Sequence, residues 1–150
     1  MQKYTFEEII EKEGRLVYSS VGTSMLPLIR QGRDLIVIEK PKGRLAKYDI
    51  PLYKRAGGQY VLHRVVKVLP EGYIICGDNL WAKERVADSQ IIGVLTAIVR
   101  GGRELPIDSP RFKLYSRVWV ALYPLRVLYF KARGLAGRIK RKLRKAQDQA

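Results

Sequence analysis

The stretch YDIPLYKRAGGQYVLHRVVKVL, residues 48–69, decides the fold class. Two apolar runs, Tyr48 to Arg55 and Tyr60 to Leu69, flank Gly57 and Gly58, and paired glycines between such runs signal a β-hairpin. Strand alternation predicts Val61, His63 and Val65 on one face of the second run, with Leu62, Arg64 and Val66 on the other. His63 is the only histidine in the chain.

Outward from this hairpin the same pattern repeats. Leu16 to Ser20 and Asp34 to Glu39 read as strands before it. After the turn at Pro70, Glu71 and Gly72 comes Tyr73 to Cys76. Ile91 to Arg100, Gly101 and Gly102, then Arg103 to Ile107 make a last hairpin. Closely spaced strands without helical patterns between them predict a mainly β fold, a small antiparallel barrel or sheet. A short helix from Thr5 to Lys12 precedes it, with Thr5 as N-cap, Gly14 as terminator, and Phe6, Ile9 and Ile10 on one docking face.

After Pro110 the periodicity becomes helical. Val118, Leu122, Leu125, Leu128 and Tyr129 recur at helical spacing, with a kink expected at Pro124, and Leu135, Ile139 and Leu143 continue in steps of four. Charge divides the chain at the same place. Residues 1–110 carry 17 basic and 13 acidic side chains, whereas residues 111–150 carry 12 basic ones and only Asp148. The net +15 of the 150-residue chain therefore belongs mainly to a basic helical tail, 111–150, attached to a nearly balanced body, 1–110.

Several classes fall away. One cysteine, Cys76, cannot form an intrachain disulfide or a paired-cysteine zinc site, and one histidine excludes a two-histidine motif. No metal or cofactor is expected. Glu7, Glu8, Glu11 and Glu13 stand where a signal peptide needs an apolar core, so no export signal is expected. No run approaches the roughly 18 apolar residues of a spanning helix.

The chemistry-bearing residues have ordinary readings one at a time. Ser24 sits in a turn, Gly22-Thr23-Ser24-Met25-Leu26-Pro27. His63 lies in an apolar strand, Asp78 in the turn Gly77-Asp78-Asn79, and Glu84 in a polar stretch that reads as a solvated loop. Together they supply a hydroxyl nucleophile, a base to deprotonate it, and an acid to orient the base.

Gly22 to Pro27 resembles the nucleophile motif of type I signal peptidases and of the related self-cleaving repressor-type peptidases. Gly32-Arg33-Asp34-Leu35-Ile36-Val37 resembles the strand that follows it. Lys47-Tyr48-Asp49-Ile50 resembles the next, although the family usually has Gly where Tyr48 stands. Tyr60 to Val65 is similar to the histidine-bearing strand of the endoplasmic-reticulum, archaeal and sporulating-bacterial branch, in which histidine replaces a lysine base. Gly77-Asp78-Asn79 and Ile91-Ile92-Gly93-Val94 complete the series, over roughly residues 16–100. The resemblance implies a signal-peptidase-like β domain and a serine endopeptidase acting on an extended segment of a precursor protein. Ser24 would be the nucleophile and His63 the general base. Asp78 falls on the family's first acid and Glu84 where a second aspartate is usual, which leaves open which of the two orients His63. The Ser24 N–H, flanked by Gly22 and Thr23, would meet the oxyanion, and Met25 and the sheet edge would contact substrate. The family implies small residues before the cleaved bond.

Two features depart from the pattern: neither a membrane helix nor a DNA-binding helical domain is evident. Residues 112–145 suit an anionic membrane surface, giving a peripheral membrane location with its side left open. The competing expectation is that Leu122, Leu125 and Leu128 pack on the β body, and nucleic-acid binding ranks third. The alternative to an enzyme is an inactive binding module on the same β fold whose basic tail binds membrane or nucleic acid.

Overall fold

The computed structural model describes residues 4–147, with side chains as far as residue 141 apart from Ile139. Ile139 and Leu143 of the expected apolar stripe, and Asp148, therefore lie outside the described side chains. The chain is mainly antiparallel β. A curled half-barrel sheet contains β1 (Arg15–Ser19), β2 (Asp34–Glu39), β8 (Ile91–Arg100), β3 (Pro51–Lys54) and β4 (Tyr60–Leu62) in that spatial order. A further strand, β9 (Arg103–Pro106), pairs with β8. A second sheet holds β5 (Arg64–Val68), β6 (Tyr73–Cys76) and β7 (Glu84–Val86).

The N-terminal helix α1 (Phe6–Glu13) starts at a capping box. The Glu8 N–H donates to Thr5 Oγ1 at 3.3 Å, and the Thr5 N–H donates to Glu8 Oε2 at 2.7 Å. Gly14 ends it at φ 71°, the left-handed conformation that favours glycine. Ile10 is buried, and Phe6 and Ile9 pack on the core of the large sheet. The long strand β8 approaches β2 and α1 so closely at Gly93 that a Cβ there would lie 2.4 Å from Ile38 Cγ2.

Two apolar clusters hold the body. One joins α1, the large sheet and the segment after Ser24 through Ile10, Met25, Ile29, Ile38, Leu52 and Ile98. The other joins the two sheets through Tyr53, Val65, Tyr73, Ile75 and Val86. Burying each aliphatic side chain of this kind contributes about 1.5–3 kcal/mol.

The expected strand from Tyr60 to Leu69 is in fact two. It ends at Leu62 in the large sheet and restarts at Arg64 in the small one, with His63 at the crossing. Leu62, His63, Arg64 and Val65 are all buried, so the predicted alternation of faces fails there. The reason is coverage: where a chain passes from one sheet to the other, both of its sides are enclosed. Glu84, expected in a solvated loop, begins β7 and pairs in register with Ile75.

The tail is also two helices, α2 (Pro110–Ala121) and α3 (Tyr123–Gln147), separated at Leu122 rather than kinked at Pro124. Pro124 lacks an N–H, which the first turn of a new helix tolerates and a helix interior does not. Phe112 and Tyr115 pack on the first core and Ser116 is buried. Leu122, Leu125 and Leu128 do not pack on the β body as the competing expectation had it, and all three are exposed.

Candidate active site

Ser24 lies in the long connection between β1 and β2. Its neighbours anchor that segment: Met25, Leu28 and Ile29 are buried, and the Ile29 N–H donates to the Met25 carbonyl at 3.0 Å. Gly22 adopts φ 96°, and its N–H donates to Gln31 Oε1 at 2.8 Å. A second segment clamps the turn from the other side. The Asn79 N–H donates to the Ser24 carbonyl at 2.8 Å and Asn79 Nδ2 to the Thr23 carbonyl at 3.1 Å. The Ser24 N–H has no acceptor among the described residues, while its side chain is half-buried. Thr23 is exposed. Met25, expected to contact substrate, is buried in the core and also lines the cleft beside Ser24.

His63 is buried, and its Nδ1 lies 3.2 Å from the Tyr53 hydroxyl and 3.3 Å from Glu84 Oε1. The Tyr53 hydroxyl donates a short hydrogen bond to the same Glu84 oxygen. With the tyrosine proton committed there, both neighbours of Nδ1 present lone pairs. Nδ1 must therefore carry the ring proton, which leaves the lone pair on Nε2. Arg55 completes the set, donating to Glu84 Oε1 at 2.8 Å and Oε2 at 3.0 Å.

These contacts set the charges. Partial burial works against ionising Glu84, but the Arg55 guanidinium and the Tyr53 hydroxyl outweigh it and hold the carboxyl below its usual range. Burial pushes the His63 imidazole below its ordinary 6.5, and the Glu84 carboxylate offsets part of that. The ring is thus neutral at pH 7, the state a general base requires.

Nε2 of His63 has no hydrogen-bond partner among the described residues, and His63 lines a cleft of about 320 Å³ together with Ser24, Gly22, Arg55 and Leu80. Gly77 keeps the two residues close. A Cβ there would sit 2.8 Å from the Ser24 carbonyl oxygen and 3.1 Å from His63 Cδ2. Ser24 Oγ and the ring share the cleft without a hydrogen bond between them.

Asp78 does not touch His63. Its carboxylate takes two hydrogen bonds from Arg64, at 2.8 and 2.7 Å, and one from the Tyr115 hydroxyl at 3.0 Å. Arg64 Nη1 also donates to Ser116 Oγ at 2.6 Å. The Asp78 carbonyl accepts from Trp119 Nε1 at 2.9 Å and from Arg126. Asp78 thus ties both tail helices to the turn that holds Ser24.

Sequence reasoning missed Tyr53 and Arg55. The available signal was their two-residue spacing on a strand, which puts both side chains on one face. It also missed the tail residues around Asp78, for which no local signal exists. Cys76 is buried, and burial pushes its thiol up in pKa, away from the thiolate that acts as a nucleophile. Among the described residues, no group of three or more His, Cys, Asp or Glu could hold a metal ion.

Beside the cleft lies a largely apolar groove of about 470 Å³, lined by Tyr18 of β1, Tyr60 of β4, Phe6, Ile36 and Leu52 among others. Strands β1 and β4 are the two ends of the strand order, so each offers an unpaired backbone edge. Compared with known protein families, curated proteins and solved structures, the chain has no match.

Proposed function

We propose that this protein is a serine endopeptidase of the signal-peptidase-like kind, histidine-base branch, that cleaves an extended segment of a precursor protein. The observation that carries the reading is the setting of His63: its Nδ1 is held by Glu84 and Tyr53, which leaves Nε2 as the basic nitrogen, and the residue lines one cleft with Ser24. An extended substrate adds to a free sheet edge beside the groove, which delivers its scissile carbonyl to Ser24.

In the first step Ser24 Oγ bonds to the carbonyl carbon while its proton passes to His63 Nε2. The Glu84 carboxylate stabilises the imidazolium so formed, and the partnerless Ser24 N–H donates to the developing oxyanion. The intermediate collapses with loss of the amine, which takes the proton from Nε2, and leaves an acyl ester on Ser24. Water, deprotonated by the same nitrogen, hydrolyses the ester and restores the serine. Glu84 is the orienting acid in this reading, and Asp78 is a positioning residue that acts through Asn79 on the Ser24 turn.

The resemblance gains support from Tyr48. It adopts φ 85°, a conformation that favours glycine, at the position where the family pattern has glycine. The second reading, a peptide-binding module without chemistry, draws on the missing Ser24–His63 hydrogen bond. Such contacts are often long without substrate and tighten in the reacting complex. The test is digestion of a diverse peptide library, with cut sites mapped by mass spectrometry. The wild type is expected to cut, and Ser24→Ala and His63→Ala to fall to background while circular dichroism stays unchanged. Cleavage that survives both substitutions overturns the assignment, and peptide binding without cleavage by the wild type establishes the module.

A further inference from the structure

The tail helices have two faces: one rich in aromatic side chains turned toward the body, and an aliphatic one left exposed. On α2 the side chains directed inward are Phe112, Tyr115, Ser116 and Trp119. On α3 they are Tyr123, Arg126, Val127 and Phe130, all half-buried. The opposite side carries Leu114, Val118, Leu122, Leu125, Leu128 and Leu135, at 39% to 65% exposure. Steps of four place Leu114, Val118 and Leu122 along one side of α2 and its end, and steps of three and seven place Leu125, Leu128 and Leu135 along one side of α3. Lys131, Arg133, Arg138, Lys140 and Arg141 are exposed on α3, and no acidic residue occurs anywhere between Arg111 and Gln147.

We propose that α2 and α3 dock these aliphatic sides in the plane of an anionic lipid surface, with the leucines entering the acyl boundary and the lysines and arginines meeting headgroup phosphates. Charge decides the occupant. A second copy would bring one strongly cationic tail against another, at a repulsive cost. A nucleic acid answers the charge but leaves six leucine and valine side chains in water. An anionic bilayer satisfies both sets of groups. Among the described residues no helix is long and apolar enough to cross a membrane, which fits helices lying along a surface. The proposal is independent of the peptidase reading, because it uses no residue of the Ser24–His63 cleft.

The experiment is co-sedimentation of the full chain carrying Ser24→Ala with vesicles of phosphatidylcholine alone or with about 30% phosphatidylglycerol, which gives the surface a negative potential. Partition is expected to be at least about tenfold stronger with the anionic lipid and to weaken as salt rises. The double substitution Leu125→Glu and Leu128→Glu is expected to lower it about tenfold without changing the melting temperature, because both side chains are exposed. Equal partition to both vesicles overturns the proposal. So does an unchanged partition of the double variant, or binding to duplex DNA but not to vesicles. Self-association abolished by the double substitution, in protein that ignores vesicles, assigns the aliphatic sides to a second copy instead.

Discussion

At Tyr48 a bulky residue occupies a backbone conformation that ordinarily costs a non-glycine residue about 1–2 kcal/mol. Surrounding bonds hold it there: the Tyr48 N–H donates to the Val65 carbonyl at 2.9 Å, and the Tyr48 carbonyl accepts from Arg64 at 3.2 Å. Both bonds use backbone atoms and survive replacement of the side chain. Tyr48→Gly is therefore expected to raise unfolding stability by about 1 kcal/mol in urea titration, less whatever ring packing is lost. A loss of stability would show that the ring contributes more than the backbone strain. His63 illustrates what a single residue reveals in sequence and what it hides. Its type and its apolar setting were legible, whereas its tautomer depends on Tyr53 and Glu84, which come from two other strands.

Among the elements, the strands with clean turn boundaries were legible to the residue. Asp34–Glu39, Tyr73–Cys76 and Ile91–Arg100 form as the apolar runs indicate. What escaped reading depends on partners rather than on local pattern. The division at His63 follows from β4 pairing with β3 while β5 pairs with β6, and β7 is a three-residue strand that exists because β6 offers it an edge. Beside the apolar packing of Phe112 and Tyr115, α2 meets one buried charge pair, Arg64 with Asp78, whose side chains are both about 1% exposed. Removing either partner strands the other charge in the interior. Arg64→Ala and Asp78→Ala are each expected to cost about 3–5 kcal/mol, and the double variant distinctly less than their sum. Denaturant unfolding of the three variants measures this, and simple additivity would mean that the pair does not act as a unit.

On the scale of the whole molecule, the parts meet at the cleft. The β1–β2 connection contributes Ser24, the crossing between β4 and β5 contributes His63, the small sheet contributes Glu84, and the tail braces the Asp78–Asn79 turn that holds Ser24. The lowered pKa of His63 has a consequence for the fold as well. A buried histidine that resists protonation favours the native state above the ordinary imidazole value of about 6.5, and that contribution is lost as pH falls through the lower folded value. Rate measurements at acid pH must therefore be paired with a fold readout such as tryptophan fluorescence. The role of His63 as a general base oriented by Glu84 is read out by the pH dependence of kcat/KM for the wild type and Glu84→Gln. The wild-type rate is expected to rise with pH with a midpoint below 6.5, because burial depresses the imidazole. In Glu84→Gln the midpoint is expected to move lower still, with a rate loss on the order of a hundredfold, since the carboxylate that favours the imidazolium is gone. A wild-type profile that stays flat from the acid limit of folding to pH 8, or a Glu84→Gln enzyme with the wild-type midpoint and rate, would contradict the account.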